Sequence, residues 1–201
     1  MSANARAVVF DFGKVVIDWD PMRAVGHLFA GEAEAKAGLE RIGFNAWNLE
    51  QDRGRSWEDG FAAAPDAAAR AIFEAYFAGI DAAHAKAVPG TAALIERLHA
   101  KGVPLFGLTN AAREAVEACR RHHPALGQMH DIVVSAEEGL LKPDPAIYEV
   151  LMVRTGRGAS DLVFIDDNAK NVAAAEVLGL RGHHFTGADA LKTFLTQEEL
   201  L

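Results

Sequence analysis

The sequence predicts a doubly wound α/β protein built on a parallel sheet, and three observations carry that prediction. Short apolar runs recur along the chain and end abruptly in polar residues, as strands buried on both faces do. Helical patterns separate the runs, which is the alternation that right-handed parallel βαβ units require. One long stretch breaks the alternation with alanine-rich amphipathic sequence and no good strand, and it reads as a helical insertion.

Taken in order, the first run is Ala7 to Phe10, which ends at Asp11 and is followed by the turn residue Gly13. The insertion occupies about Asp20 to Val88, punctuated by Pro21 at one end and Val88-Pro89-Gly90 at the other. The division expected is therefore a Rossmann-like core from residues 1–19 and 88–201, with a small helical domain at 20–87. Trp47, Trp57 and Phe61 are expected to form that domain's own core. The second strand is Val103 to Leu108 before Thr109, with a helical pattern from Ala111 to His122. A weaker strand, Ile132 to Val134, leads to Ser135. Leu162 to Ile165 ends at Asp166 and precedes a helix from Ala169 to Gly179, and His183 to Phe185 is a candidate fifth strand.

Composition bounds the function. A chain of 201 residues that is 50% hydrophobic supports one core and a small second lobe. Its net charge of -8 is spread along the sequence, with no basic run or aromatic-basic interleaving to neutralise a phosphate backbone, so nucleic acid is not an expected partner. Cys119 is the single cysteine, which excludes an intrachain disulfide and suits a reducing cytoplasm. The start lacks the features of a secretory signal, and no apolar run approaches the roughly 20 residues that span a bilayer. A cytoplasmic protein free of the membrane is expected, and nothing in the sequence specifies an oligomeric state.

Doubly wound sheets place ligands outside the carboxyl ends of their strands. Here those ends carry Asp11, Thr109, Asn110, Asp166 and Asp167. Carboxylates gathered at one place raise one another's pKa values, so a cation is implied. Oxygen ligands with no His or Cys favour a hard ion, and a sparse set with room for water and substrate suits Mg²⁺ better than Ca²⁺. Thr109 and Asn110 open a helix, where a hydroxyl and free N–H groups can hold an anion, although both are also ordinary N-caps. Lys142, beside an apolar pair and two prolines, is by itself no more than a solvated lysine at a helix start. Together a carboxylate nucleophile, anion donors, a lysine and an acid pair supply what phosphoryl transfer needs.

These residues also carry a resemblance. Val8-Val9-Phe10-Asp11-Phe12-Gly13-Lys14-Val15-Val16, Leu108-Thr109-Asn110, the stretch from Ser135 through Lys142-Pro143-Asp144-Pro145 to Tyr148, and Val163-Phe164-Ile165-Asp166-Asp167-Asn168-Ala169-Lys170-Asn171-Val172 resemble the four ordered motifs of the haloacid dehalogenase superfamily. The resemblance covers nearly the whole chain and places the insertion where that family carries a cap, between its first and second motifs. It implies an Asp11 nucleophile that forms an aspartyl-phosphate and also ligates Mg²⁺, with Gly13 giving a backbone carbonyl and Asp167 a carboxylate. Thr109, Asn110 and Lys142 would hold the transferring phosphoryl group of a small phosphorylated substrate, Lys142 also neutralising the nucleophile. Asp166 and Asn171 would support metal and lysine. The pattern Asp-Phe-Gly-x-Val with Asp-Asp-Asn is similar to a subset that includes phosphatases of α-D-glucose 1-phosphate, which makes a sugar phosphate one candidate substrate.

One position departs from the family's phosphatases, which carry a second aspartate where Gly13 stands. That aspartate acts as general acid and base. Without it, a metal-bound water, Lys14 or Asp18 is left to protonate the leaving group in part, and substrates with better leaving groups are expected to be favoured. Two alternative functions are compatible with the fold. A 2-haloacid dehalogenase characteristically has a tyrosine at the Gly13 position and no acid at the Asp167 position, and both differences point away from it. A non-catalytic binding protein on this fold sits poorly with Asp11, Lys142 and Asp167 all being present. The pairs His122-His123 and His183-His184 are not at i,i+4 spacing and read as ends of elements rather than metal ligands. Asp18, Trp19 and Arg23, just past the first motif, are candidates for substrate contact.

Overall fold

The four residues of strand β1 (Ala7–Phe10) are all buried, because the strand runs through the middle of a five-stranded, all-parallel sheet. The computed structural model describes residues 6–201, so the first five positions of the expected core segment 1–19 lie outside the described residues. The other strands are β2 (Leu105–Thr109), β3 (Asp131–Val134), β4 (Leu162–Asp166) and β5 (Arg181–His184). Their order is β3-β2-β1-β4-β5, which is the doubly wound arrangement expected. The order reverses direction between β1 and β4, so Asp11 and Asp166 stand on neighbouring strands at the crevice where such sheets bind ligands.

Two helical layers cover the sheet, and the pleat decides which side chains meet which layer. Val8, Phe10, Val163 and Ile165 point to one face, packed with Leu94, Ile95 and Leu98 of α7 (Thr91–Ala100), Val116 and Cys119 of α8 (Arg113–His122) and Leu191 and Leu195 of α12 (Ala188–Gln197). Ala7, Val9, Leu162 and Phe164 point to the other, packed with Ile147, Tyr148 and Leu151 of α10 (Pro145–Thr155) and Ala175 of α11 (Ala169–Val177). A short helix, α9 (Ser135–Glu138), follows β3.

Two strands differ from the sequence expectation. β2 starts at Leu105 rather than Val103, because the N–H of Val103 bonds to Leu98 O (3.1 Å) and completes the end of α7. β5 starts earlier than His183. Its Gly182 lies so close under α11 that an added Cβ would fall 2.6 Å from a methyl of Val172, which is why an edge strand of Arg-Gly-His-His pairs here without an apolar signal.

Between β1 and α7 the chain forms six helices: α1 (Met22–Val25), α2 (Glu32–Arg41), α3 (Phe44–Asp52), α4 (Trp57–Ala62), α5 (Ala67–Ala78) and α6 (Ile80–His84). They enclose a separate apolar cluster of Phe44, Trp47, Phe73 and Tyr76, against which Trp57 and Phe61 pack. Trp47 stacks on Phe73 with ring centroids 3.9 Å apart and planes 6° from parallel. The two connections to this segment run side by side: Asp18 N–H bonds to Lys86 O at 2.8 Å, and Val88 N–H to Val16 O at 2.9 Å. Among the described residues no helix is long and apolar enough to cross a membrane.

The stacked pair sets a test of the segment's packing. Phe73→Ala should cost about 3–5 kcal/mol, as large aromatic truncations in closed cores do. The measurement is the urea midpoint of the variant against wild type, and a cost under about 1 kcal/mol would show that this cluster adds little to stability.

Candidate active site

A lysine buried beneath the carboxyl ends of the central strands organises the site. The Lys142 side chain is 1% exposed. Its Nζ donates to Asp11 Oδ1 and Asp166 Oδ2, each at 2.7 Å, and to Leu108 O at 2.8 Å. All three ammonium donors thus have acceptors. The backbone of Lys142 is fixed as well: its N–H donates to Asn110 Oδ1 (2.9 Å), while Asn110 Nδ2 donates to Lys142 O (3.0 Å). The Asn110 amide thus clasps the lysine loop, and its second Nδ2 hydrogen and its main chain are left for the anion contact expected from sequence.

Asp166 is fully buried and saturated with donors. Besides Lys142, it accepts from Asn168 N–H at 2.8 Å and from Asn171 Nδ2 at 3.1 Å on both oxygens. Asn171 is held in turn by α10, because Tyr148 Oη donates to Asn171 O at 2.8 Å. Asp167, the next residue, is exposed at the rim, and its carbonyl lies 2.9 Å from His184 Nε2. Carboxylate oxygens of Asp11, Asp166 and Asp167 all fall within 4.8 Å of one another.

The electrostatics follow from that crowding. Burial is the largest influence on Asp11. With the charges of Asp166 and Asp167, it outweighs Lys142 and raises the Asp11 carboxyl to about 7. Burial and Asp166 likewise raise Asp167. Burial opposes the Lys142 ammonium, but Asp11 and Asp166 more than offset it and hold its pKa above the ordinary lysine value. One ammonium faces three carboxylates, so the donor set fits a hard divalent cation, which would return Asp11 to its ionised form.

A cavity of about 130 Å³ lies between the sheet and the helical segment, lined in part by Phe12 and Gly13, the residues that follow Asp11. Gly13, Thr109 and Asn110 form part of its floor, and Trp19, Trp57, Tyr76 and Ile80 part of its walls. A Cβ built on Gly13 meets nothing within 4 Å, so the second aspartate of the family's phosphatases is missing from a place with room for it. Of the three residues expected to contact substrate, only Trp19 lines the cavity, its indole N–H donating to Tyr76 Oη at 3.1 Å. Asp18 is instead held by Lys14 (3.0 Å) and Arg23 (2.6 Å). The bond from Lys14 contributes most to lowering its pKa to about 2, so it is ionised at neutral pH and cannot donate the proton assigned to it. Trp57 belongs both to the segment's core and to the cavity wall. The histidine pairs bond or stack within the fold: His122 with Asp81, His123 with His84 O, His183 on Phe194 and His184 with Asp167 O.

Sequence reasoning missed Asp52 and Ser135. Asp52 ends α3 and lines the cavity, and Ser135 Oγ joins it to the core by donating to Asp52 O at 2.5 Å while accepting from Ala111 N–H at 2.9 Å. A carboxylate at a helix C-terminus, where the dipole opposes it, was the available signal.

This lysine-centred carboxylate cluster stands at the switch point of a parallel sheet, where doubly wound folds bind their ligands. A family model described as haloacid dehalogenase-like hydrolase matches residues 4–179, and the chain belongs to that family. It is similar to a sesquiterpene phosphatase from Aspergillus oryzae, 32% identical over 108 residues, a match covering 54% of each protein. The chain thus spans about half the length of that relative. Among solved structures it is similar to a dehalogenase, with a TM-score of 0.66 at 21% identity over 90% of this chain and 84% of the other. It is also similar to a HAD family enzyme from Bacteroides thetaiotaomicron in magnesium complex, with a TM-score of 0.71 at 18% identity over 92% and 94% of the two chains. At such identities the structural likeness speaks for the fold.

Removing the lysine should expose the cost of the cluster. Lys142→Met leaves Asp11 and Asp166 buried without their shared cation, and should destabilise the metal-free protein by about 3–5 kcal/mol at pH 8. Without Lys142 the Asp11 carboxyl, already raised by burial, rises further above its unfolded value, so stability is lost as pH rises through that range. The deficit should therefore shrink when urea unfolding is repeated at pH 5. A deficit that stays constant with pH would show that lost packing dominates.

Proposed function

We propose that the protein is a Mg²⁺-dependent phosphatase that hydrolyses a small phosphorylated metabolite through an aspartyl-phosphate on Asp11. The observation that carries this reading is the shared Lys142 ammonium, 2.7 Å from both Asp11 and Asp166, with Asp167 completing a carboxylate cluster beside it. In this reading Asp11, Asp167 and the Gly13 carbonyl hold Mg²⁺, which when bound neutralises the carboxylates and polarises phosphate oxygens. Asp11 attacks phosphorus. Lys142 orients the Asp11 carboxylate, adds to the metal's part in keeping it ionised, and offsets charge on the transferring group. Thr109, at the end of β2, and the Asn110 main chain bind phosphoryl oxygens. Asp166 and Asn171 hold the lysine in place.

The helical segment at 20–87 acts as a cap on the core formed by 1–19 and 88–201, closing the cavity against water. Its walls favour a compact leaving group with an apolar face. A sugar phosphate, as the glucose-1-phosphate phosphatase-like subset would suggest, finds mainly Asn48, Asp52 and His84 as side-chain partners there. The sesquiterpene phosphatase relative is consistent with an apolar preference. The acidic charge fits a small-molecule substrate rather than nucleic acid, and a buried, unpaired Cys119 fits a cytoplasmic setting.

The similar dehalogenase keeps the halide-displacing reading as the alternative. Against it stands Asp167, an acid that a metal-free displacement has no use for.

Two outcomes follow. Asp11→Asn should fold normally and lose turnover on phosphomonoesters, whose uncatalysed hydrolysis is extremely slow. Retention of more than about a tenth of the wild-type rate, a difference of only about 1.4 kcal/mol, would refute Asp11 as the nucleophile. Activity should also require Mg²⁺, and Asp167→Ala should raise the half-saturating Mg²⁺ concentration. An unchanged value in a titration by activity would place the metal elsewhere.

A further inference from the structure

The phosphatase reading leaves a proton unaccounted for. The leaving oxygen must be protonated as its bond to phosphorus breaks, yet Gly13 offers no acid and Asp18 is locked as an anion between Lys14 and Arg23. The cavity itself supplies the candidates. Its titratable lining residues are Asp52, Tyr76, His84 and Cys119.

Three of these fail on chemistry. Burial pushes the Cys119 thiol up to about 12 and raises the Tyr76 phenol, so both hold their protons too tightly to serve as acid and then as base near neutrality. His84 is buried and its pKa is lowered by that burial; its Nδ1 lies 2.8 Å from Ile80 O, so it is a neutral imidazole with no spare proton to give. Asp52 remains.

Its placement is built rather than incidental. Asp52 Oδ1 accepts from Ala112 N–H at 3.1 Å, Oδ2 accepts from Asn48 Nδ2 at 3.1 Å, and its carbonyl accepts from Ser135 Oγ. Gly54, in the turn just beyond, adopts φ of 101°, and a Cβ there would stand 2.6 Å from Ala136 O; only glycine lets the turn approach the core this closely. The end of α3 is thereby pressed onto the loop that follows Thr109 and Asn110, and the Asp52 carboxyl shares one cavity with Gly13, Thr109 and Asn110.

We propose that Asp52, carried on the helical segment, is the general acid and base of the reaction, in place of the carboxylate that Gly13 lacks. The inference rests on the phosphatase reading of Asp11. In the first step an Asp11 oxygen bonds to phosphorus, the bond from phosphorus to the leaving oxygen breaks, and the Asp52 carboxyl proton passes to that oxygen. In the second, water bonds to phosphorus and gives a proton to the Asp52 carboxylate. The bond from phosphorus to Asp11 breaks, phosphate departs, and both aspartates regain their starting forms.

The protonation state suits both steps. Burial, with a smaller contribution from the charge of Asp11, raises Asp52 to about 8 against the opposing N–H of Ala112. The carboxyl is thus largely protonated at neutral pH, close enough to its pKa to give the proton up. Among the described residues no lysine or arginine lines the cavity with it, and the charge of Asp11, next to the lining residues Phe12 and Gly13, adds to the rise.

The test is kcat/KM, which reports steps through leaving-group departure, measured for phosphomonoesters with leaving groups from p-nitrophenol to simple alcohols. Wild type, Asp52→Asn and the double variant Gly13→Asp with Asp52→Asn are compared, with thermal melts confirming that each is folded. General acids typically contribute about 10²- to 10⁴-fold. Asp52→Asn keeps the acceptor for Ala112 N–H and loses the proton, so its loss should reach that range for alkyl esters and fall below about tenfold for p-nitrophenyl phosphate. The double variant should regain part of the alkyl activity, since Gly13 has room for the new side chain. An equal loss across the whole series, without rescue, would show that Asp52 only docks the segment, and no loss would show that it takes no part; either overturns the inference. A wild type that cleaves no member of the series overturns the phosphatase reading itself.

Discussion

The buried Lys142 ammonium is the interaction on which the rest of the site depends. Two buried aspartates at the ends of adjacent parallel strands would repel each other, and burial weakens the hydration that would otherwise offset the repulsion. One ammonium set 2.7 Å from each makes the pair tolerable. The arrangement is directional as well: a third bond to Leu108 O fixes the ammonium against strand β2, so the lysine reports the position of three strand ends at once. Everything that holds Lys142, including the Asn110 amide clasp and the donors that saturate Asp166, therefore acts on the orientation of Asp11.

The apolar sheet makes this possible. β1 and β4 are buried on both faces, so their backbones have little freedom to move and their carboxyl ends keep a fixed spacing. Tyr148 belongs to that packing and also ties α10 to α11 through Asn171 O. The site is thus rigid on its sheet side. Its other wall belongs to the helical segment, which meets the core through two adjacent strands of connection and through the Asp52 and Ser135 contact. The cavity is thus shared between the two parts of the chain, with Gly13, Thr109 and Asn110 on the sheet side and Asp52, Trp57 and Tyr76 on the helical side.

Much of this was legible in the sequence because parallel strands announce themselves. Apolar runs that stop at Asp11, Thr109 and Asp166 locate both the sheet and its functional edge, since the same burial that makes the run apolar makes the polar residue at its end conspicuous. Lys142 had no such signal from its surroundings: its burial arises from contacts with residues remote in the chain, and only the motif resemblance pointed to it. β5 was misplaced because an edge strand of Arg181 to His184 carries no apolar pattern and is held by close packing at Gly182. Asp18 was misjudged for a related reason, since its ion pairs with Lys14 and Arg23 form only once the turn after β1 is folded. Asp52 carries only a faint sequence signal, a carboxylate ending a helix, because its meaning comes from how the end of α3 is seated over the sheet.

A covalent phosphoryl group on Asp11, the intermediate of the proposed reaction, can be looked for directly. Protein mixed with Mg²⁺ and a phosphomonoester, quenched in acid during turnover and digested, should yield the peptide containing Asp11 heavier by one phosphoryl group, with the adduct absent from Asp11→Asn. A phosphoryl group on a different residue, or turnover with no adduct on any peptide at any quench time, would contradict the account.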